Sequence, residues 1–219
     1  MRPLTDDLPK PLLTIQNKSL LAWHIEALAD AGIERVVINH AWLGEKIEAA
    51  LGNGGQFGLK IAYSPEGIAL ETAGGIVKAL PILQAEDYFL VINGDVFTPT
   101  LPVAKLMEEV LKLRSNPTKP LAYLLMVANP IQHPNGDFYL KDTRVSNQEL
   151  ADSEKLTFSG IGIYHKDLFK DLEFGAPAKL APLLREAIAQ NRVLGEKYTG
   201  PWHDVGTPQR LQELNAAYE

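Results

Sequence analysis

Asp95, Asp204 and Lys10 have the residue types and settings needed to handle phosphate. Asp95 closes Asn93-Gly94-Asp95, directly after the apolar run Tyr88-Phe89-Leu90-Val91-Ile92. In open parallel sheets ligands gather beyond the carboxyl ends of strands, so this carboxylate is expected at a ligand edge. There it could hold a magnesium ion that also binds phosphate oxygens, with Gly94 allowing close approach. Asp204, in Trp202-His203-Asp204-Val205-Gly206-Thr207, again ends an apparent strand just before a capped helix. Lys10 stands between Pro9 and Pro11, whose rings fix the flanking φ angles and present one ammonium from a stiff segment. Each residue also has an ordinary reading as turn, cap or surface chemistry. Two strand-end carboxylates and a fixed lysine together form a metal and polyphosphate constellation.

A further feature is the loop Tyr63-Ser64-Pro65-Glu66-Gly67, followed by Glu71-Thr72-Ala73-Gly74-Gly75. Glycines at 74 and 75 ahead of a helix would let backbone amides approach a flat ring or a phosphate, or would simply permit a tight turn. Other chemistries find no support. The five histidines lack zinc spacing, and no Gly-x-Ser-x-Gly elbow occurs. Basic and aromatic residues do not cluster as a nucleic-acid groove requires, and the net charge of -6 also disfavours one. With 46% hydrophobic and 22% charged residues the chain is ordinary for a globular protein, and no apolar run has the length of a membrane span. Zero cysteines exclude disulfides and thiolate metal sites. A cytoplasmic address, with no nucleic-acid or membrane partner, is expected.

The elements that must position these residues alternate. Ser19 is placed to cap a helix carrying Leu21, Ile25 and Leu28, with Gly32 at its end. Residues 36–38 then read as strand, 41–51 as helix, 59–63 as strand, 72–80 as helix and 88–92 as a strand covered on both faces. A helix over 103–113 and a strand over 121–127 follow. This alternation implies a parallel, doubly wound sheet. Between 129 and 164 the helical signal gives way to short candidate strands at 138–140 and 158–164, which reads as a β-rich insertion. Residues 180–190 read as helix and 193–205 as strand-like, and Thr207 can cap a last helix over 208–218 with proline at its first position.

In this order, Pro3-Leu4-Thr5, Pro9-Lys10-Pro11-Leu12, Leu70-Glu71-Thr72-Ala73-Gly74-Gly75, Asn93-Gly94-Asp95 and Asp204-Val205-Gly206-Thr207 resemble the sugar-1-phosphate nucleotidyltransferases. The resemblance covers nearly the whole chain. Within the family it is closest to the short N-acetylmuramic acid 1-phosphate uridylyltransferases of cell-wall recycling. That resemblance is carried by Ile38-Asn39-His40-Ala41-Trp42-Leu43-Gly44, Tyr63-Ser64-Pro65-Glu66-Gly67, Gly136-Asp137-Phe138 and Thr157-Phe158-Ser159-Gly160.

It implies an α/β, Rossmann-like nucleotidyltransferase fold in a single domain spanning 1–219. The sheet would be mixed and mostly parallel, with helices on both faces and a small β-rich insertion. It also implies magnesium-dependent condensation of a nucleoside triphosphate with a sugar 1-phosphate, releasing pyrophosphate, by a monomer or small homo-oligomer. By correspondence Asp95 and Asp204 would bind the metal, and Lys10 would contact phosphate. Gly74 and Gly75 would lie near the base, while Asn93, Asp137, Ser159 and Gly160 would approach the sugar. Lys179 is a candidate second phosphate contact.

Relatives open with an apolar strand and a loop resembling Leu-Ala-Ala-Gly-x-Gly-x-Arg, ahead of the Pro-Leu-Thr match. The expectation is therefore a domain lacking that strand and loop, with Met1 an internal start and a gap or raw edge in the sheet. Glucose- or mannose-1-phosphate transfer, and an inactive sugar-nucleotide-binding module, are the alternatives.

Overall fold

The computed structural model describes residues 1–218. Its elements begin with β1 (Thr14–Ile15), β2 (Lys18–Ser19), α1 (Leu20–Asp30), β3 (Arg35–His40), α2 (Gly44–Leu51), β4 (Lys60–Pro65) and α3 (Glu71–Leu83). Next come β5 (Tyr88–Ile92), β6 (Val96–Phe97), α4 (Val103–Ser115), β7 (Ala122–Val127), β8 (Phe138–Lys141), β9 (Arg144–Ser146) and β10 (Glu154–His165). The chain closes with α5 (Leu180–Ala189), β11 (Val193–Lys197), β12 (His203–Asp204) and α6 (Pro208–Ala217).

Local chemistry sets the boundaries. Ser19 Oγ accepts the Ala22 N–H at 3.1 Å and opens α1, while Thr207 Oγ1 accepts the Arg210 N–H at 3.2 Å and opens α6 with Pro208 first. The strand-like stretch 193–205 breaks at Gly200-Pro201, where proline offers no ladder N–H, and leaves β11 and β12 as separate strands. Helix α3 begins at Glu71, so Gly74 and Gly75 lie inside its first turns rather than ahead of it. Glycine there costs about 1 kcal/mol against alanine. Close packing requires it: Gly74 abuts the backbone of residues 176–178, and a Cβ on Gly75 would stand 2.6 Å from both Asn39 Nδ2 and Glu66 Oε1.

The main sheet runs β5-β10-β7-β11-β9-β8. Only β7–β11 is parallel within it, and β3 pairs with β4 in a separate parallel ribbon. The α/β class and the mixed sheet match the expectation, but the mostly parallel arrangement does not. The cause is the segment read as an insertion. It returns without a helical crossover, so its last strand, the twelve-residue β10, lies antiparallel between β5 and β7 and becomes central.

Helices cover both faces. Alternate residues of β5 enter different cores: Tyr88, Leu90 and Ile92 pack with Leu21, Ile25 and Leu28 of α1, whereas Phe89 and Val91 pack with Ile76 and Val77 of α3. A third cluster, built on Ile15, Leu20, Phe97, Val205 and Leu211, anchors β6, β12 and α6. Each of β3 and β5 has a hydrogen-bonded strand on one side only, and their other edges border a common slot.

Candidate active site

Asp95 and Asp204 meet because β6 and β12 pair. Asp204 stands opposite Val96, His203 opposite Phe97, and the Val205 N–H donates to the Asp95 carbonyl at 3.2 Å. Phe97 is fully buried and stacks on the His203 ring at 6.2 Å, so the short ladder has a fixed base. Pro9 caps and Pro11 lies within a single 3-10 turn, Lys10–Leu12, that aims Lys10 across the pair. Its Nζ lies 2.7 Å from Asp95 Oδ2 and 4.0 Å from Asp204 Oδ1. Arg210, one turn into α6, holds the other Asp204 oxygen at 3.0 Å. The Asp95 and Asp204 side chains keep 41% and 36% of their exposure. Ion pairs this accessible are worth at most about 1 kcal/mol, so an incoming phosphate can displace the Lys10 ammonium from Asp95 at little cost.

On one side of this cluster is a cavity of about 280 Å3. Asn93, Asp95, Ser159, Gly160, Trp202 and Asp204 line its base, and Gln132 and His133 line the loop above. Hydrogen bonds rivet the walls. Asn129 accepts from Thr157 Oγ1 at 2.9 Å and donates to the carbonyls of Lys155 and Pro134 at 3.0 and 3.3 Å. Trp202 Nε1 donates to the Ser159 carbonyl at 2.9 Å. Gly160 adopts φ +80°, where the register of β10 shifts against β7, and a Cβ there would stand 2.7 Å from Asn93 Nδ2.

On the other side is the slot between β3 and β5, about 720 Å3 in volume. Every residue from Arg35 to Asn39 and from Phe89 to Asp95 contributes to its wall. A strand seen from its face would contribute alternate residues, so these two present their edges. Leu21, Ile25 and Leu28 line it from α1, and Ile76, Leu80 and Leu83 from α3. Lys10 and Asp95 lie at its end, and Asn93 and Asp95 line both cavities. His24 is 3% exposed within the slot wall. Its Nε2 is 2.9 Å from the Val96 carbonyl, its Nδ1 has no protein partner, and burial lowers its pKa below the ordinary imidazole value.

The structure thus brings together Lys10, Asp95 and Asp204 at the junction, and places Asn93, Ser159 and Gly160 on the smaller cavity. Asp137 stands behind that cavity, accepting from the Phe158 N–H at 2.8 Å and lying 3.1 Å from His133 Nε2. Gly74 and Gly75 are buried and line neither cavity, and Lys179 is exposed and lines neither. Arg210, His133, Gln132 and Trp202 escaped the sequence reading. Arg210 alone had a usable signal, being a base one helical turn from the Thr207 cap that follows Asp204. Among the described residues, no three His, Cys, Asp or Glu side chains gather as a metal cage. No helix among them is long and apolar enough to cross a membrane.

Residues 1–132 match the family model described as nucleotidyl transferase. The N-acetylmuramate alpha-1-phosphate uridylyltransferase of Neisseria meningitidis serogroup B is 49% identical over 222 residues, spanning 99% of this chain and 92% of the relative. The protein of the same name from Caulobacter vibrioides is 30% identical over 217 residues, spanning 95% of this chain and 88% of the relative. Among solved structures, HddC from Yersinia pseudotuberculosis with GMP-PN superimposes with a TM-score of 0.75 at 19% identity, over 100% of this chain and 94% of that one. That likeness concerns the fold.

Proposed function

The chain belongs to the nucleotidyl transferase family, and on that premise we propose that it transfers the uridylyl group of UTP to N-acetylmuramate 1-phosphate, releasing pyrophosphate. The observation that carries this reading is the junction itself: two carboxylates on facing strands, bridged by Lys10, between an apolar slot and a small polar cavity. A phosphate oxygen of the sugar attacks the α-phosphorus in line. The new P–O bond forms as the bond to pyrophosphate breaks, and no covalent protein intermediate is needed. The chain contributes positioning and charge. Lys10 exchanges Asp95 for a phosphate oxygen, Arg210 keeps Asp204 oriented, and Asn93, Ser159 and Gly160 border the sugar.

Magnesium fits the donor set. Asp95 and Asp204 would supply hard oxygen ligands, and with no cluster of three His, Cys, Asp or Glu among the described residues the remaining positions would fall to phosphate oxygens and water, as this ion prefers. When bound it would neutralise charge between the phosphates. The activity calls for a cytoplasmic supply of nucleoside triphosphate and serves reuse of a cell-wall sugar, in a monomer or small homo-oligomer.

The slot completes the reading. We take it as the seat of an apolar strand followed by a glycine-rich loop. A strand there would pair with both β3 and β5, be covered on both faces, and end beside Lys10 and Asp95. The test extends the chain at its N-terminus with such a segment and measures pyrophosphate release from UTP with N-acetylmuramate, glucose and mannose 1-phosphates. Release with the muramate ester, together with a higher unfolding midpoint than residues 1–219 alone, is expected. Absence of release with every sugar overturns the reading, and preference for glucose or mannose reassigns the substrate.

A further inference from the structure

We propose that His133, held by Asp137, is the residue that selects a carboxylate-bearing sugar in the smaller cavity, through its free Nδ1. The inference rests on the function proposed above and deepens it. N-acetylmuramate differs from N-acetylglucosamine by a lactyl ether on O3, which adds one carboxylate directed away from the anomeric phosphate. A site for it needs a compensating group away from the phosphate end.

The cavity has such an end. Gly160 adjoins Asn93, whose N–H donates to its carbonyl at 2.9 Å, and so marks the phosphate side. Thr157 lies three residues earlier on β10, opposite Val127, roughly 10 Å away by strand rise. The loop after β7 starts at that point and delivers Pro130, Gln132 and His133 to the wall. The cavity wall includes two acids, Asp95 and Asp204, and no lysine or arginine. His133 is the one lining side chain that can carry positive charge.

The loop is built to hold that ring. Its backbone folds on itself, with the His133 N–H on the Pro130 carbonyl at 2.8 Å and the Gly136 N–H on the His133 carbonyl at 3.2 Å. Gly136 takes φ +57° against Asn129, and Asn129 ties the loop to β10. Asp137 is fixed by the Phe158 N–H at one oxygen and meets His133 Nε2 with the other. Asp137 Oδ1 engages Nε2, which leaves Nδ1 for the ligand. A carboxylate reaching Nδ1 would accept a charge-assisted hydrogen bond from the ring. Asp137 acts through His133 as a positioning residue, and the amide of Gln132 stands beside it as an uncharged donor.

The test is binding calorimetry on the 219-residue chain with two probes, N-acetylmuramate 1-phosphate and N-acetylglucosamine 1-phosphate. The wild type is expected to hold the first more tightly by about ten- to a hundredfold, the scale of a hydrogen bond to a charged group. His133→Ala and His133→Gln should bring the two Kd values together by weakening only the muramate ester. Asp137→Asn should narrow the gap while both esters still bind. A wild type that does not favour the muramate ester overturns both the substrate assignment and this inference. A preference that survives both His133 variants overturns this inference alone, as does an equal loss for the two probes.

Discussion

The two cavities that share Asn93 and Asp95 are finished to different degrees. Around the smaller one, the polar groups of the wall are largely spent on one another: Asn129, Thr157, Asp137, Ser159 and Trp202 are each tied by hydrogen bonds between 2.8 and 3.3 Å. Around the slot, two strand edges and one nitrogen of a buried imidazole lack partners among the described residues, although helices cover both faces. Buried backbone groups left unpaired cost about 1 to 3 kcal/mol each. The first cavity is ready for a small polar ligand. The second, on the function proposed above, seats polypeptide, because another backbone offers donors and acceptors along both edges at once.

The largest effect is expected where the two regions join. In the N-terminally extended protein, Asp95→Asn should lower kcat by about 100- to 1000-fold, the loss typical of removing one preorganised electrostatic contact. The unfolding midpoint should stay in place, because the Lys10 pair it breaks is solvent-accessible. Pyrophosphate release at saturating substrate and a urea titration decide this, and unchanged turnover at limiting magnesium would remove Asp95 from the metal site.

Packing separates the regions next. Leu124, on β7 of the main sheet, is fully buried, so Leu124→Ala should cost about 2 to 5 kcal/mol. Leu80 is partly buried on the slot wall, where a shortened side chain enlarges an existing space, and Leu80→Ala should fall well below that range in the 219-residue chain. Adding the strand should raise the cost of Leu80→Ala and leave that of Leu124→Ala alone. Equal costs in both contexts would mean that the slot is not where the strand goes.

Much of this was legible from residues. The Ser19 and Thr207 caps, the apolar run of β5 and the strand-end positions of Asp95 and Asp204 are local signals, and local signals survive folding. The direction of β10 is not local. Its sequence fixes an extended conformation, but its place between β5 and β7 depends on partners far away in the chain. The place of Gly74 and Gly75 inside α3 is hidden for a related reason: a glycine pair beside a loop suggests backbone approach to a ligand, and the packing that puts them in the helix is against residues 176–178 and Glu66. His133 and Trp202 were invisible because each reaches its cavity through a loop whose path is set by Asn129 and by Gly200-Pro201, and neither path follows from periodicity.

Gly160 tests the finished side. At φ +80° an added Cβ is strained and would also push on Asn93, so Gly160→Ala should cost about 1 to 3 kcal/mol and weaken sugar binding, with no change in how the slot responds to an added strand. A melting curve and calorimetry with the sugar phosphate check it.

The smallest effect probes the unfinished side through pH. Burial lowers the His24 pKa below 6.5, outweighing the Val96 carbonyl and the nearby Asp95 charge, which raise it. Well above pH 6.5 the ring is neutral folded or unfolded and contributes no slope. As pH falls below 6.5 the unfolded chain takes up the proton first, so stability declines until the folded-state pKa is passed. His203 is lowered by burial in the same direction, so His24→Gln should flatten the decline only in part. A strand in the slot whose N–H donates to Nδ1 would hold the ring neutral to still lower pH. Urea midpoints from pH 7.5 to 5 should then fall over a longer range in the extended protein than in the 219-residue chain. Identical profiles would show that nothing in the added segment reaches His24.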